Sequence, residues 1–269
     1  MIYSTKIQNP DIKFNLGNQL FTIASLLGFA KRYGTKFVLK EKWAFQDFFN
    51  LEDVEILRQP LYVILREPAF TCNYPFFDRF KTLIQNEAVG IDGYLQSYKY
   101  WADCKEAIRR NLSFKEEMVS DARQYIESHH IDLKNAVAIS ARRGDFILDS
   151  HHYLLPKDYY VGSYRSHFAG RKVVIFSDDL AWSRKNLSDM ADSVVFADGL
   201  SPLRQLCLMS LFGHFVIANS TFSWWGTYLS NAAGKVVVRP YHHFDGELKE
   251  TPLENHYPAE WKTFNHTSC

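Results

Sequence analysis

Three short segments carry the side chains with the most evident chemical use. The first is Ser140-Ala141-Arg142-Arg143-Gly144-Asp145. Two adjacent guanidiniums present fixed forks of donors that match phosphate oxygens. Asp145 can hold one guanidinium while the other faces a ligand, or the group can be a plain arginine–aspartate loop. The second segment is Ser177-Asp178-Asp179. Paired carboxylates can bind a metal, a ribose or the N–H edge of a base, and they can also cap the next helix. The third is Asn219-Ser220-Thr221-Phe222-Ser223-Trp224-Trp225-Gly226. Hydroxyls crowded at a helix start, beside its free N–H groups, make an anion site; the plainer alternative is an N-cap. Tandem Trp224 and Trp225 read as packing residues.

Together the segments suit a nucleoside diphosphate. Arginine and N–H groups would take the pyrophosphate, and carboxylates the sugar or base. No Gly-x-x-x-x-Gly-Lys-Ser/Thr or Gly-x-Gly-x-x-Gly motif follows a strand, which weighs against NTPase and dinucleotide readings. No Gly-x-Ser-x-Gly is present, which weighs against an α/β-hydrolase.

Each segment follows a short apolar, β-branched run. Strands are expected at 136–139, 173–176, 194–197, 215–218 and 236–238. Helices are expected at 181–187, 202–211 (with Pro202 in its first turn) and 223–230. Such alternation implies a parallel sheet buried on both faces, with ligands beyond the carboxyl ends of its strands. Upstream, Leu16-Gly17-Asn18-Gln19 reads as a turn before a helix that Gly34 stops, with a strand at 36–40. Residues 41–100 are rich in Phe, Tyr and Pro and read as short elements and loops. A helix spans 116–130, and the polar break Asp132 to Asn135 sets the expected boundary between domains 1–132 and 133–269, with a C-terminal segment free to cross back.

Composition narrows the function classes. The 269 residues carry 31 Lys plus Arg against 30 Asp plus Glu, a net charge of +1. No basic excess marks a nucleic-acid partner. The longest apolar run, Leu206 to Ala218, is too short to span a bilayer. Four scattered cysteines (Cys72, Cys104, Cys207, Cys269) form no zinc pattern and read as reduced thiols. A cytoplasmic protein is expected, with peripheral association at the inner membrane face compatible.

The ordered set Leu16 to Phe21, Gly93 to Tyr100, Arg142 to Asp145, Phe176 to Asp179, Leu208 to Gly226 and Pro258 to Trp261 resembles the α-1,2-fucosyltransferases of glycosyltransferase family 11. The resemblance implies an α/β fold of GT-B type, two Rossmann-like domains facing a cleft: an acceptor-side N-terminal domain and a donor-nucleotide-binding C-terminal one. It implies transfer of L-fucose, with inversion, from GDP-β-L-fucose to the 2-hydroxyl of a terminal galactose on a glycan. No cofactor and no metal are implied. Arg142 would hold the pyrophosphate. Ser177, Asp178 and Asp179 would serve the guanine or ribose. Asn219, Ser220, Thr221, Phe222 and Ser223 would take the β-phosphate. Asn18 would lie near the phosphates and transferred sugar.

By likeness to α-1,6 enzymes, Asp149 would be the base that activates the acceptor, in a segment that also carries His151 and His152. The family pattern has His where this chain has Ser140, so a same-fold transferase of another donor or acceptor is the first alternative. A non-catalytic carbohydrate-binding module is the second, and metal-dependent transfer through Asp178 and Asp179 the third. The absence of an anchor points to an enzyme of surface-polysaccharide biosynthesis.

Overall fold

The computed structural model describes residues 1–7, 15–52, 54–56, 63–68 and 74–268. Cys72, Cys269 and part of the Phe-, Tyr- and Pro-rich stretch 41–100 lie outside them. The chain divides into two compact units, Met1–Lys115 with Pro252–Pro258, and Glu116–Thr251 with Ala259–Cys269.

The first unit contains β1 (Ile2–Ser4), α1 (Leu16–Tyr33), β2 (Val38–Leu39), β3 (Glu55–Ile56), β4 (Val63–Arg66), α2 (Lys81–Asn86), β5 (Val89–Asp92) and α3 (Lys105–Asn111). A parallel sheet of order β1-β5-β4 forms its centre, and β2 pairs with β3. Segment 16–19 is not a turn but the opening of α1. Asn15 caps it, accepting from the Asn18 N–H at 3.5 Å, so Leu16 and Gly17 are already helical and buried. Gly34 ends the helix with φ 66, the left-handed value that glycine adopts without steric cost.

The second unit contains α4 (Glu116–Ser128), β6 (Ala136–Ala141), α5 (Lys157–Phe168), β7 (Lys172–Ser177), α6 (Leu180–Leu187), β8 (Val194–Phe196), α7 (Pro202–Ser210), β9 (His214–Val216), α8 (Thr221–Tyr228), β10 (Val236–Pro240) and β11 (Lys262–Phe264). The expected boundary at 132 would have left α4 with the first unit. In the structure α4 packs on α7 and groups with the second, because its apolar stripe Met118, Ala122, Ile126 is buried there.

All six strands are parallel, in the order β8-β7-β6-β9-β10-β11. Taken in chain order from β6, this is 3-2-1-4-5-6, a doubly wound sheet whose direction of growth reverses between β6 and β9. All six β6 residues are buried, the pattern of a strand covered on both faces. The core beneath the sheet gathers Val137, Ile139, Tyr159, Tyr160, Val173, Ile175, Leu187 and Val216. Helix α5, which supplies both tyrosines, was not expected, since its polar, aromatic sequence KDYYVGSYRSHF lacks a clean apolar stripe.

Candidate active site

The three segments singled out by residue type converge at the carboxyl edge of the second unit's sheet. A cavity there is lined by Ser140, Ala141 and Arg142 at the end of β6 and by Phe176, Ser177 and Asp178 at the end of β7. Pro202 and Gln205 of α7 and Ser220 and Phe222 at the start of α8 complete it. The β6|β9 reversal is where such sheets open a ligand crevice. Pro202 and Gln205 had no sequence signal beyond the apolar helix that carries them.

Arg142 is pinned from two sides. Its Nη2 lies 2.6 Å from Asp145 Oδ1 and its Nη1 lies 2.9 Å from Asp178 Oδ2. Asp178 also accepts the Arg143 N–H at 2.9 Å through its other oxygen. The second arginine faces a different set: Arg143 Nε lies 3.7 Å from Asp179, and its guanidinium sits 4.0 Å over the Trp182 ring. Asp179 is the cap of α6, accepting the Trp182 N–H at 2.9 Å, while its own N–H donates to Ser177 Oγ at 3.0 Å. The carboxylate pair therefore divides its tasks. Asp178 braces the arginines and lines the cavity, and Asp179 caps a helix.

At β9 the segment also divides by task. The Ser220 hydroxyl accepts the Phe222 N–H at 3.3 Å, and both residues line the cavity. Thr221 is half-buried in the first turn of α8. Ser223 is fully buried and turned inward, donating to Ala218 O and Ser220 O at 3.0 Å. Asn219 is buried as well; its Nδ2 donates to Tyr153 O at 2.9 Å and His243 O at 2.6 Å. The helix opening is thus built by Asn219 and Ser223 and offered to the cavity by Ser220 and Phe222. Trp224 and Trp225 are fully buried.

Asp149 lies in the loop after β6, outside the cavity lining. Its Oδ2 meets His152 Nδ1 at 2.6 Å, and its Oδ1 accepts the His151 N–H at 2.8 Å with His151 Nδ1 at 3.2 Å. Burial alone would raise this carboxyl, but the His151 N–H and the His152 imidazole outweigh it and hold it below the usual range. Asn18 belongs to the first unit, where its Oδ1 accepts from Gln96 Nε2 at 3.0 Å.

Cys104 and Cys207 are free and buried, and burial pushes the Cys207 thiol up to about 12. Among the described residues no cluster of three or more His, Cys, Asp or Glu could hold a metal ion, and no helix is long and apolar enough to cross a membrane.

The doubly wound sheet with an arginine-bearing crevice at its reversal defines a Rossmann-like α/β protein. The chain belongs to glycosyl transferase family 11, whose model matches residues 11–265. It is 29% identical over 170 residues to the alpha-1,2-colitosyltransferase of Escherichia coli, covering 58% of this chain and 56% of that protein. It is 35% identical over 124 residues to the O-antigen biosynthesis glycosyltransferase WbnK of Escherichia coli, covering 43% and 41%. The chain thus spans about half the length of these two curated relatives. A galactoside 2-alpha-L-fucosyltransferase of Caenorhabditis elegans is 27% identical over 279 residues, covering 93% of this chain and 77% of that one.

Among solved structures, POFUT1 in complex with GDP has a TM-score of 0.52 at 15% identity, covering 87% of this chain and 95% of that chain. NodZ alpha-1,6-fucosyltransferase co-crystallized with GDP has a TM-score of 0.52 at 18% identity, covering 79% and 88%. The fold is the α/β GT-B type of these proteins.

Proposed function

We propose that the protein is an inverting fucosyltransferase. It moves L-fucose from GDP-β-L-fucose to the 2-hydroxyl of a terminal galactose, and the cavity at the β6|β9 reversal takes the GDP. The observation that carries this reading is the double anchoring of Arg142 by Asp145 and Asp178 opposite the start of α8. Departure of GDP builds negative charge on the β-phosphate. A guanidinium already fixed in place, together with helix N-terminal N–H groups, stabilises that charge without reorganising. On this reading Arg142 and the Ser220–Phe222 turn do the work that a metal does in other transferases. Phe176, Pro202 and Phe222 offer apolar surface to a base, and Ser177, Asp178 and Gln205 offer polar groups to base or ribose. Support for the donor and linkage comes from the relatives named fucosyltransferases and from neighbours crystallised with GDP.

Thermal shift against GDP, GDP-fucose and UDP-sugars, with and without chelator, is the direct test. A ligand at 100 times its Kd raises stability by about 2.7 kcal/mol, which Tm reads easily. A shift with GDP and GDP-fucose but not UDP-sugars, followed by chelator-resistant transfer to a galactose-terminated acceptor, supports the reading. A shift with UDP-sugars alone overturns it.

A second reading keeps the fold and reaction but changes the donor. Ser140 lines the cavity where the family pattern carries histidine, and one relative is named a colitosyltransferase. A larger Tm shift with another GDP-deoxysugar than with GDP-fucose would favour it.

A further inference from the structure

The loop after β6 holds a second piece of chemistry. We propose that His152 is the proton acceptor for the incoming hydroxyl and that Asp149 is the residue that positions it; this rests on the transferase reading above.

The loop is tied down at the carboxyl end of the sheet. Tyr153 N–H donates to His243 O at 3.2 Å, and Asp245 N–H donates to His151 O at 2.9 Å. Residue 152 bridges residue 244 in antiparallel fashion. Asn219, at the end of β9, binds the carbonyls of both Tyr153 and His243. The chain leaving β6 therefore crosses the carboxyl end of β9 to reach the segment after β10, and His152 lies within that crossing.

The side chain is held as firmly as the backbone. The His152 ring stacks on Phe146, with centroids 4.2 Å apart and planes at 20°, and the Arg142 guanidinium lies 5.4 Å over the same Phe146 ring. The imidazole and the arginine assigned to the leaving phosphate thus share one aromatic ring. Nδ1 is bound to Asp149 at 2.6 Å, and Nε2 has no partner among the described residues. A carboxylate on Nδ1 fixes the tautomer with its proton there and leaves Nε2 as the acceptor. It also stabilises the imidazolium that forms, the role of the buried aspartate in a catalytic triad. Asp149 itself is a poor base, because both its oxygens already accept hydrogen bonds.

Among the described residues, the charged and titratable groups around His152 are Asp149 and His151 in its own loop, Arg142 on the shared Phe146 ring and His243 at 6.5 Å ring to ring. The step balances. The acceptor oxygen bonds to the sugar C1 while the bond from C1 to the β-phosphate oxygen breaks. That electron pair leaves on GDP, and the hydroxyl proton moves to His152 Nε2.

The test compares wild type, His152→Gln and Asp149→Asn in kcat against pH, with the GDP-induced Tm shift measured for each. His152→Gln should lower kcat by 10²- to 10⁴-fold, the range of a lost general base, and abolish the acidic limb. Its GDP shift should stay intact. Asp149→Asn should keep the limb at reduced kcat. A His152→Gln kcat within threefold of wild type, limb unchanged, overturns the proposal. Should the glutamine variant fold poorly, His152→Ala with added imidazole decides: restored turnover supports the assignment and no restoration overturns it. Failure of the donor reading shows separately, as a wild-type protein that GDP does not shift.

Discussion

Arg142 Nη1 lies 2.9 Å from Asp178 Oδ2, a contact that ties together the ends of the neighbouring strands β6 and β7. The carboxylate sets where the guanidinium points, and Asp145 sets it again from the other side at 2.6 Å. An arginine held this way has lost its freedom before any ligand arrives, which is what electrostatic preorganisation requires.

Arg142→Ala should therefore lower kcat by about 10²-fold or more, the scale of losing one oxyanion-type donor. Arg142→Lys should recover little. One ammonium cannot reach two carboxylates and a phosphate in a planar fork. Steady-state transfer from GDP-fucose checks both, and a lysine variant of near wild-type rate would refute the clamp.

Gly144 gives a quieter test of the same contact. A Cβ there would lie 2.4 Å from Asp178 Oδ2, so the carboxylate must move if the residue grows. Gly144→Ala should cut transfer on the order of 10- to 100-fold, because displacements near 1 Å already cost that much in a positioned site. GDP affinity should weaken with it. Full activity in Gly144→Ala would mean that Asp178 does not set the arginine.

Much of the second unit was legible because its strands are continuous apolar runs between amphipathic helices. Their ends shifted, as where Ser140 and Ala141 continue β6 past Ile139, and the sixth strand β11 was not expected, its three residues being too few for a pattern. The three site segments were legible by residue type at strand ends. What each side chain does was not, since no local pattern distinguishes Asn219 and Ser223, turned inward, from Ser220, turned to the cavity. Asp149 stood out as a carboxylate, but its union with His152 needs the loop's course over β9. The first unit was least legible. Strand β2 falls within the one expected at 36–40, but β3 is two residues, too short for periodicity to register, and α1 begins at Leu16 because Asn15 caps it.

Asn18 and Gln96 form the first unit's own polar contact. Gln96 Nε2 donates to Asn18 Oδ1 at 3.0 Å, so the Asn18 amide N–H groups are the ones that would serve the donor if Asn18 acts as the family resemblance implies. The loop behind Gln96 is firmly held. Leu95 adopts φ 53, with its N–H on Glu67 Oε2 at 2.9 Å and its carbonyl on Ser25 Oγ at 3.1 Å. The Gln96 carbonyl meets His256 Nδ1 at 2.9 Å. Strain of this kind persists only where the surroundings enforce it. Gln96→Glu keeps the shape but offers only acceptors, so the Asn18 amide must turn its N–H groups inward. That variant should lose more activity than Gln96→Ala, which leaves Asn18 free to choose. Equal losses in the two variants would show that the orientation of Asn18 is immaterial.

Two histidines make stability depend on pH. Burial lowers His266, assisted by the charge of His242, while Asp158 opposes; burial also lowers His214, assisted by Arg171. In the unfolded chain both would take up a proton at about pH 6.5. As the pH falls through that value the unfolded state binds more protons than the folded one, and stability declines with it. The contribution is complete above about pH 6.5 and is lost as the pH falls through the lower folded-state values. Tm should therefore drop between about pH 7.5 and 5. His266→Gln removes one of the two groups, and its Tm should fall less steeply over the same interval. The difference in slope reads His266 together with its coupling to His242; coincident slopes would mean that its imidazole titrates equally in the folded and unfolded chain.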